Sequence, residues 1–275
     1  MALLARSGLS LLICAFVTAC VSLGLQSKKI GHPVTPAVRQ ASIQRAQVWT
    51  PTPVRTMDIM AGPPGPGAFA PNETVSCQYI SKTLGGRSPK FACLIPPRDE
   101  LKVKYGPLNG EAYAEVAATR LFWALGFGAE RLYPVRVLCQ GCPSTIQGTD
   151  IASIERKMRG KDIETKSGSG WAWSELDLVD SRLGAPRAHR DALKLLAVLV
   201  QHTDSKPEQQ RLLCLGEEPK VDDNRLCAET FMMVHDLGLT FGHATAYNRA
   251  LVSSVNYDEW SGTPIWKDEI GRAHV

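Results

Sequence analysis

From about residue 74 the chain sets out short runs of alternating apolar and polar positions. Residues 74–80 (TVSCQYI), 90–95 (KFACLI) and 101–105 (LKVKY) carry the two-residue period of strands, with Gly85-Gly86 in the turn between the first two. The period then lengthens. Ala112, Val116, Ala117, Leu121, Phe122 and Leu125 recur at helical spacing after the capping candidate Asn109, and the run stops at Gly126. Residues 133–138 and 151–158 return to strand character. Trp171 and Trp173 follow a Gly/Ser loop as packing anchors, and residues 191–200 are apolar nearly all round, which predicts a core helix.

The N-terminal region has a different pattern. Arg6 precedes the apolar run 9–21, so residues 1–25 read as an export signal. Val17-Thr18-Ala19-Cys20 resembles the lipobox of bacterial lipoproteins, which implies a lipid anchor on Cys20. Ordinary signal cleavage and retention as a signal anchor are the alternatives. Residues 26–71 are rich in proline and poor in apolar periodicity, which predicts a tether of low order.

Composition narrows the picture. The 275 residues are 44% hydrophobic and 21% charged with a net charge of +4, ordinary globular material without the basic, aromatic-interleaved stripe of a nucleic-acid binder. The basic cluster at 156–161 reads as a solvated loop. Six cysteines follow the signal, an even number that predicts disulfides in an exported chain. Sequence proximity pairs Cys77 with Cys93, Cys139 with Cys142 and Cys214 with Cys227. For Cys139-Gln140-Gly141-Cys142 a redox dithiol and half of a zinc site are rival readings, although Pro143 follows and no second such motif completes a metal set.

Two segments carry candidate chemistry. His202-Thr203-Asp204-Ser205-Lys206-Pro207-Glu208-Gln209 follows the core helix, and Val234-His235-Asp236-Leu237-Gly238 ends an apolar run. Asp204 suits a general base for a hydroxyl, Lys206 a charge-neutralising cation, and Gln209 and Asp236 oxygen ligands for magnesium. The first segment resembles the catalytic loop of protein kinases, HRDLKPEN, and Asp236-Leu237-Gly238 resembles their DFG triplet. The likeness extends from about Val75 onward and lies closer to atypical families such as secretory-pathway kinases and bacterial toxin kinases.

The resemblance implies an α+β, two-lobed protein-kinase-like fold. A β-rich N-terminal lobe with one long helix would span 72–160 and a helical C-terminal lobe 161–275. It implies ATP and Mg2+ as cofactors, a nucleotide lysine at Lys104 with Lys102 as the alternative on the same strand face, and Glu115 as its helix partner. The end of the strand 151–158 would receive the adenine, and His202 would hold the loop by hydrogen bonds. Thr203 and Gln209 depart from the family pattern, the latter where magnesium-binding asparagine is usual. Residues 269–275 read like translated adapter, predicting a truncated C-terminus. The expected function is a phosphotransferase acting outside the cytoplasm on a hydroxyl of a protein, sugar or lipid. A catalytically inactive pseudokinase serving as an envelope binding module is the alternative, because the periplasm holds little ATP.

Overall fold

A computed structural model describes residues 33–216, 221–222, 225–242, 255–264, 266–267 and 270–271. The export signal, Cys20 and most of the adapter-like terminus lie outside these residues.

The alternating runs form five strands: β1 (Glu73–Ile80), β2 (Lys90–Ile95), β3 (Asp99–Tyr105), β4 (Arg131–Gln140) and β5 (Ala152–Arg156). They close into a barrel in the order β1-β2-β3-β5-β4, the seam being a parallel pairing of β1 with β4 that sets Val75 opposite Val137 and Cys77 opposite Cys139. All other neighbours pair antiparallel. The inward positions, among them Phe91, Val103, Tyr133, Val135 and Ile154, fill the interior. Closure removes the free edges that an open sheet would leave.

Helix α1 (Pro36–Gln44) lies where a tether was expected. Thr35 caps it through a hydrogen bond from the Val38 amide, and Pro36 takes the first turn, where a missing N–H costs nothing. Val34, Val38, Ile43, Ala46 and Val48 enter the larger core. The proline-rich segment is therefore structural, at least from residue 33. Its backbone also joins a sheet: the Gln47 amide donates to the Thr230 carbonyl, and the Met232 amide donates to the Gln47 carbonyl.

Helix α2 (Gly110–Ala124) packs against β4 and β5 on one side and the larger core on the other. Its alanines allow close approach, while Phe122 supplies volume. Gly126, at φ +86°, ends it; a side chain there would place Cβ 2.1 Å from the Thr50 carbonyl oxygen, so only glycine fits.

The C-terminal half corrects the sequence expectation. The chain does not adopt a two-lobed kinase-like fold with a helical C-terminal lobe. The N-terminal strands form a closed barrel, and the described C-terminal residues centre on an antiparallel sheet of β6 (Lys161–Asp162), β7 (Gln210–Cys214) and β8 (Thr230–Val234). Helices α3 (Arg187–Leu199) and α4 (Tyr257–Gly262) and the short pair β9 (Trp266–Lys267) and β10 (Ile270–Gly271) accompany it. β7 and β8 are nearly continuous buried runs, so apolar material expected in helices is spent in strands. Helix α3 is also not buried all round: Leu193, Leu196 and Ala197 face the core, while Asp191, Ala192 and Leu195 are exposed.

Three disulfides form as sequence proximity predicted: Cys77–Cys93, Cys139–Cys142 and Cys214–Cys227. They place the chain in an oxidising, extracytoplasmic environment. Among the described residues no helix is long and apolar enough to cross a membrane.

Candidate functional site

Lys104 is the best-defined member of the site. It lies on β3 with its side chain 2% exposed, and its ammonium stands 2.6 Å from Glu115 on α2, 3.7 Å from Glu111 and 3.8 Å from Asp236. Burial opposes the charge of Lys104. The carboxylates of Glu115, Asp236 and Glu111 outweigh that effect and hold its pKa above the usual lysine value. Glu115, completely buried, is raised by desolvation, with Lys104 opposing. Lys102, on the same strand face, pairs instead with Glu155. Of the two lysines the sequence left open, Lys104 is the one joined to Glu115 and Asp236.

Two loops run side by side here, the second of them bringing Asp236 to this lysine. The first leaves α3 through Gln201, at φ +51°, and runs to Gln209; the second leaves β8 at His235. Main-chain hydrogen bonds join them at both ends. The His235 amide donates to the Gln209 carbonyl at 2.8 Å, the Thr203 amide to Leu239 at 3.1 Å, and the Phe241 amide to Val200 at 2.6 Å. Because β7 and β8 are paired neighbours, Gln209 and Asp236 come out at one end of the same hairpin. The sequence could not show this, since the hairpin register depends on a partner strand.

Within the first loop, Asp204 is engaged on both oxygens. Lys206 stands 3.0 Å from Oδ1, and Gln209 Nε2 donates to Oδ2 at 2.8 Å. The Lys206 side chain is largely exposed. In the second loop the Gly238 amide donates to Asp236 Oδ1 at 3.0 Å. Burial alone would raise the Asp236 carboxyl, but Lys104, the Gly238 amide and Lys102 bring it down to about 2, so it is ionised at neutral pH. Gly238 itself is tightly framed: a Cβ there would sit 3.1 Å from Asp236 Oδ1 and 3.2 Å from Lys104 Nζ.

Three residues differ from expectation. His202 is 4% exposed, and its ring nitrogens make no hydrogen bond to described residues; it packs edge-on against Trp173, with centroids 6.2 Å apart. Its loop is held through the backbone, the His202 amide donating to Ala197. Burial lowers its pKa to about 4, so the ring is neutral. Met158, the last residue of the segment assigned to adenine and two past the end of β5, donates its amide to the Glu130 carboxylate, which removes that N–H from a base-binding role. Glu130 is fully buried, and Arg211 (2.8 Å) and His235 (2.9 Å) also hold it. Glu111, a polar candidate of the helix in the sequence but not the one paired with the lysine by the resemblance, also reaches it; its position one turn before Glu115 on the helix face was the available signal.

The donor set bears on magnesium. Among the described residues no three His, Cys, Asp or Glu side chains gather as a metal cluster. A closed protein cage is therefore absent from them. Asp236 keeps Oδ2 free of hydrogen bonds to described residues, and Gln209, having committed its amide nitrogen to Asp204, keeps its carbonyl oxygen. One carboxylate and one carbonyl suit magnesium, which retains waters and takes its remaining ligands from phosphate oxygens.

Comparison with family models, with curated proteins and with solved structures gives no match to this chain.

Proposed function

We propose that the chain is a kinase-like phosphotransferase. It would bind ATP with magnesium where Lys104, Glu115 and Asp236 converge, and move the terminal phosphoryl group to a hydroxyl acceptor outside the cytoplasm. The observation that carries this reading is the buried Lys104 held between Glu115 and Asp236, beside a loop that supplies Asp204, Lys206 and Gln209.

In this reading Lys104 contacts the phosphates, and Glu115 fixes its ammonium. Asp236 and the Gln209 carbonyl hold the metal ion, which would neutralise phosphate charge when bound. Asp204 accepts the proton of the attacking hydroxyl, and Lys206 balances charge on the migrating group. The acceptor is a protein, sugar or lipid. Lipidation at Cys20, or retention of the signal as an anchor, would keep the domain at a membrane surface.

A second reading, a nucleotide-binding module without turnover, is favoured by the engagement of both Asp204 oxygens by Lys206 and Gln209. One experiment separates the two. Purified protein is incubated with ATP and magnesium, ADP release is followed, and Asp204→Ala is run beside it with folding checked by circular dichroism. Turnover lost in the variant supports the phosphotransferase. Equal background in both, with nucleotide-dependent thermal stabilisation retained, supports the module. No stabilisation by nucleotide in either protein removes both readings.

A further inference from the structure

A cavity of about 780 Å³ lies on the face of α2 turned away from the Lys104 side chain. Its walls come from α2, from β4 and β5, and from the chain before β1. Its size falls within the range of small-molecule sites, about 300–1,000 Å³. Val54, Ile59, Met60, Tyr113, Leu125 and Ile151, all large apolar side chains left exposed, line it from these several walls. Met60 is 74% exposed. Scattered exposed apolar groups are ordinary, whereas a contiguous set around a concavity marks a binding surface.

Two buried polar groups line the same space. Ser153, on β5, is 2% exposed, and its hydroxyl has no hydrogen-bond partner. Arg120, on α2, is 7% exposed, with Nε unpartnered and one terminal nitrogen 3.5 Å from the Ala61 carbonyl oxygen. No carboxylate among the described residues reaches ion-pair distance of it. Asp58 acts on it only at longer range, and burial lowers its pKa. A buried guanidinium without a counter-ion is costly, and an arriving anion would relieve that cost. Asp150, the carboxylate on the wall, is exposed to water.

We propose that this cavity binds a monomeric amphiphile with one apolar chain and one carboxylate head. The chain lies along Val116, Ala117 and Leu121 beneath Ile59 and Met60, and the head sits on the Arg120 guanidinium and the Ser153 hydroxyl. A single cation with a single hydroxyl matches a monoanion, and the planar guanidinium suits the two oxygens of a carboxylate. The proposal does not depend on the nucleotide reading.

The test is calorimetric titration of the full chain, without nucleotide, using decanoate below its micelle concentration and decanol as the neutral chain of equal length. Saturable one-to-one binding is expected, with decanoate about tenfold tighter. Arg120→Gln should bring decanoate to the level of decanol. Because Arg120 is buried, Ala117→Trp supplies a second variant at an exposed position; it fills the cavity and should abolish binding of both. Absence of saturable binding overturns the proposal. So do equal affinities for the two probes and binding that survives Ala117→Trp.

Discussion

Lys104 and Glu115 meet at 2.6 Å where neither side chain keeps more than 2% of its solvent exposure. Two such groups are costly to bring out of water, and each offsets the other only while both are present. Lys104→Met should therefore lower stability by about 3–5 kcal/mol, read as a shift in the urea midpoint. Lys104→Met combined with Glu115→Leu should regain part of that loss, because the fully buried Glu115 carboxylate goes with its partner, while Asp236 still loses its cation.

His202 predicts an acid-sensitive fold. Burial lowers its pKa from 6.5 to about 4, so the unfolded chain takes up the proton before the folded one does. Stability from this group is complete above about pH 6.5 and falls as the pH drops toward 4, by about 3 kcal/mol in all. Glu115, whose pKa burial raises, acts in the opposite direction over much of the same range, so the His202 contribution is read as a difference. The melting temperature of the unsubstituted chain minus that of His202→Phe, which keeps an aromatic ring against Trp173, should decline from pH 8 to pH 4. Glu130, whose pKa is lowered despite its burial because His235, Arg211 and the Met158 amide outweigh desolvation, acts only below about its ordinary 4.5. The two effects separate along the pH axis.

The Cys214–Cys227 bridge closes the connection between β7 and β8, a sequence separation of 13. Replacing both cysteines by serine should cost about 3 kcal/mol, from the freedom restored to the unfolded chain. The guanidinium midpoint measures it. The loss should appear without any change in the Cys77–Cys93 pair, which lies in the barrel.

Ile43 distinguishes a tether from a structural segment. It is 1% exposed and belongs to the larger core, so Ile43→Ala should cost about 2–5 kcal/mol on denaturation. A dangling segment would show no such loss.

These positions also show what the sequence made legible. The five barrel strands, helix α2 and the disulfide pairs followed from periodicity and proximity, which are local. Helix α1 was hidden because the surrounding prolines suggested extended chain, although Thr35-Pro36 is itself a capping signal. The parallel seam of β1 on β4 was not legible, since a two-residue period tells which face is buried and not which strand is the partner. The helical C-terminal lobe was inferred from a motif rather than from the residues around it, and the buried runs of β7 and β8 went another way. For the site, the approach of Lys104 to Asp236 needed the closed barrel and the β7–β8 hairpin together. Their residues announce chemistry one by one, while their distances belong to the fold.

The pairing of Gln47 with Thr230 and Met232 has a temporal side. Synthesis presents Gln47 long before its partners on β8, so α1 is available well before the surface it covers exists. Contacts this distant along the chain form slowly. The pairing must wait for β8, and until then the apolar side of α1 lacks its cover.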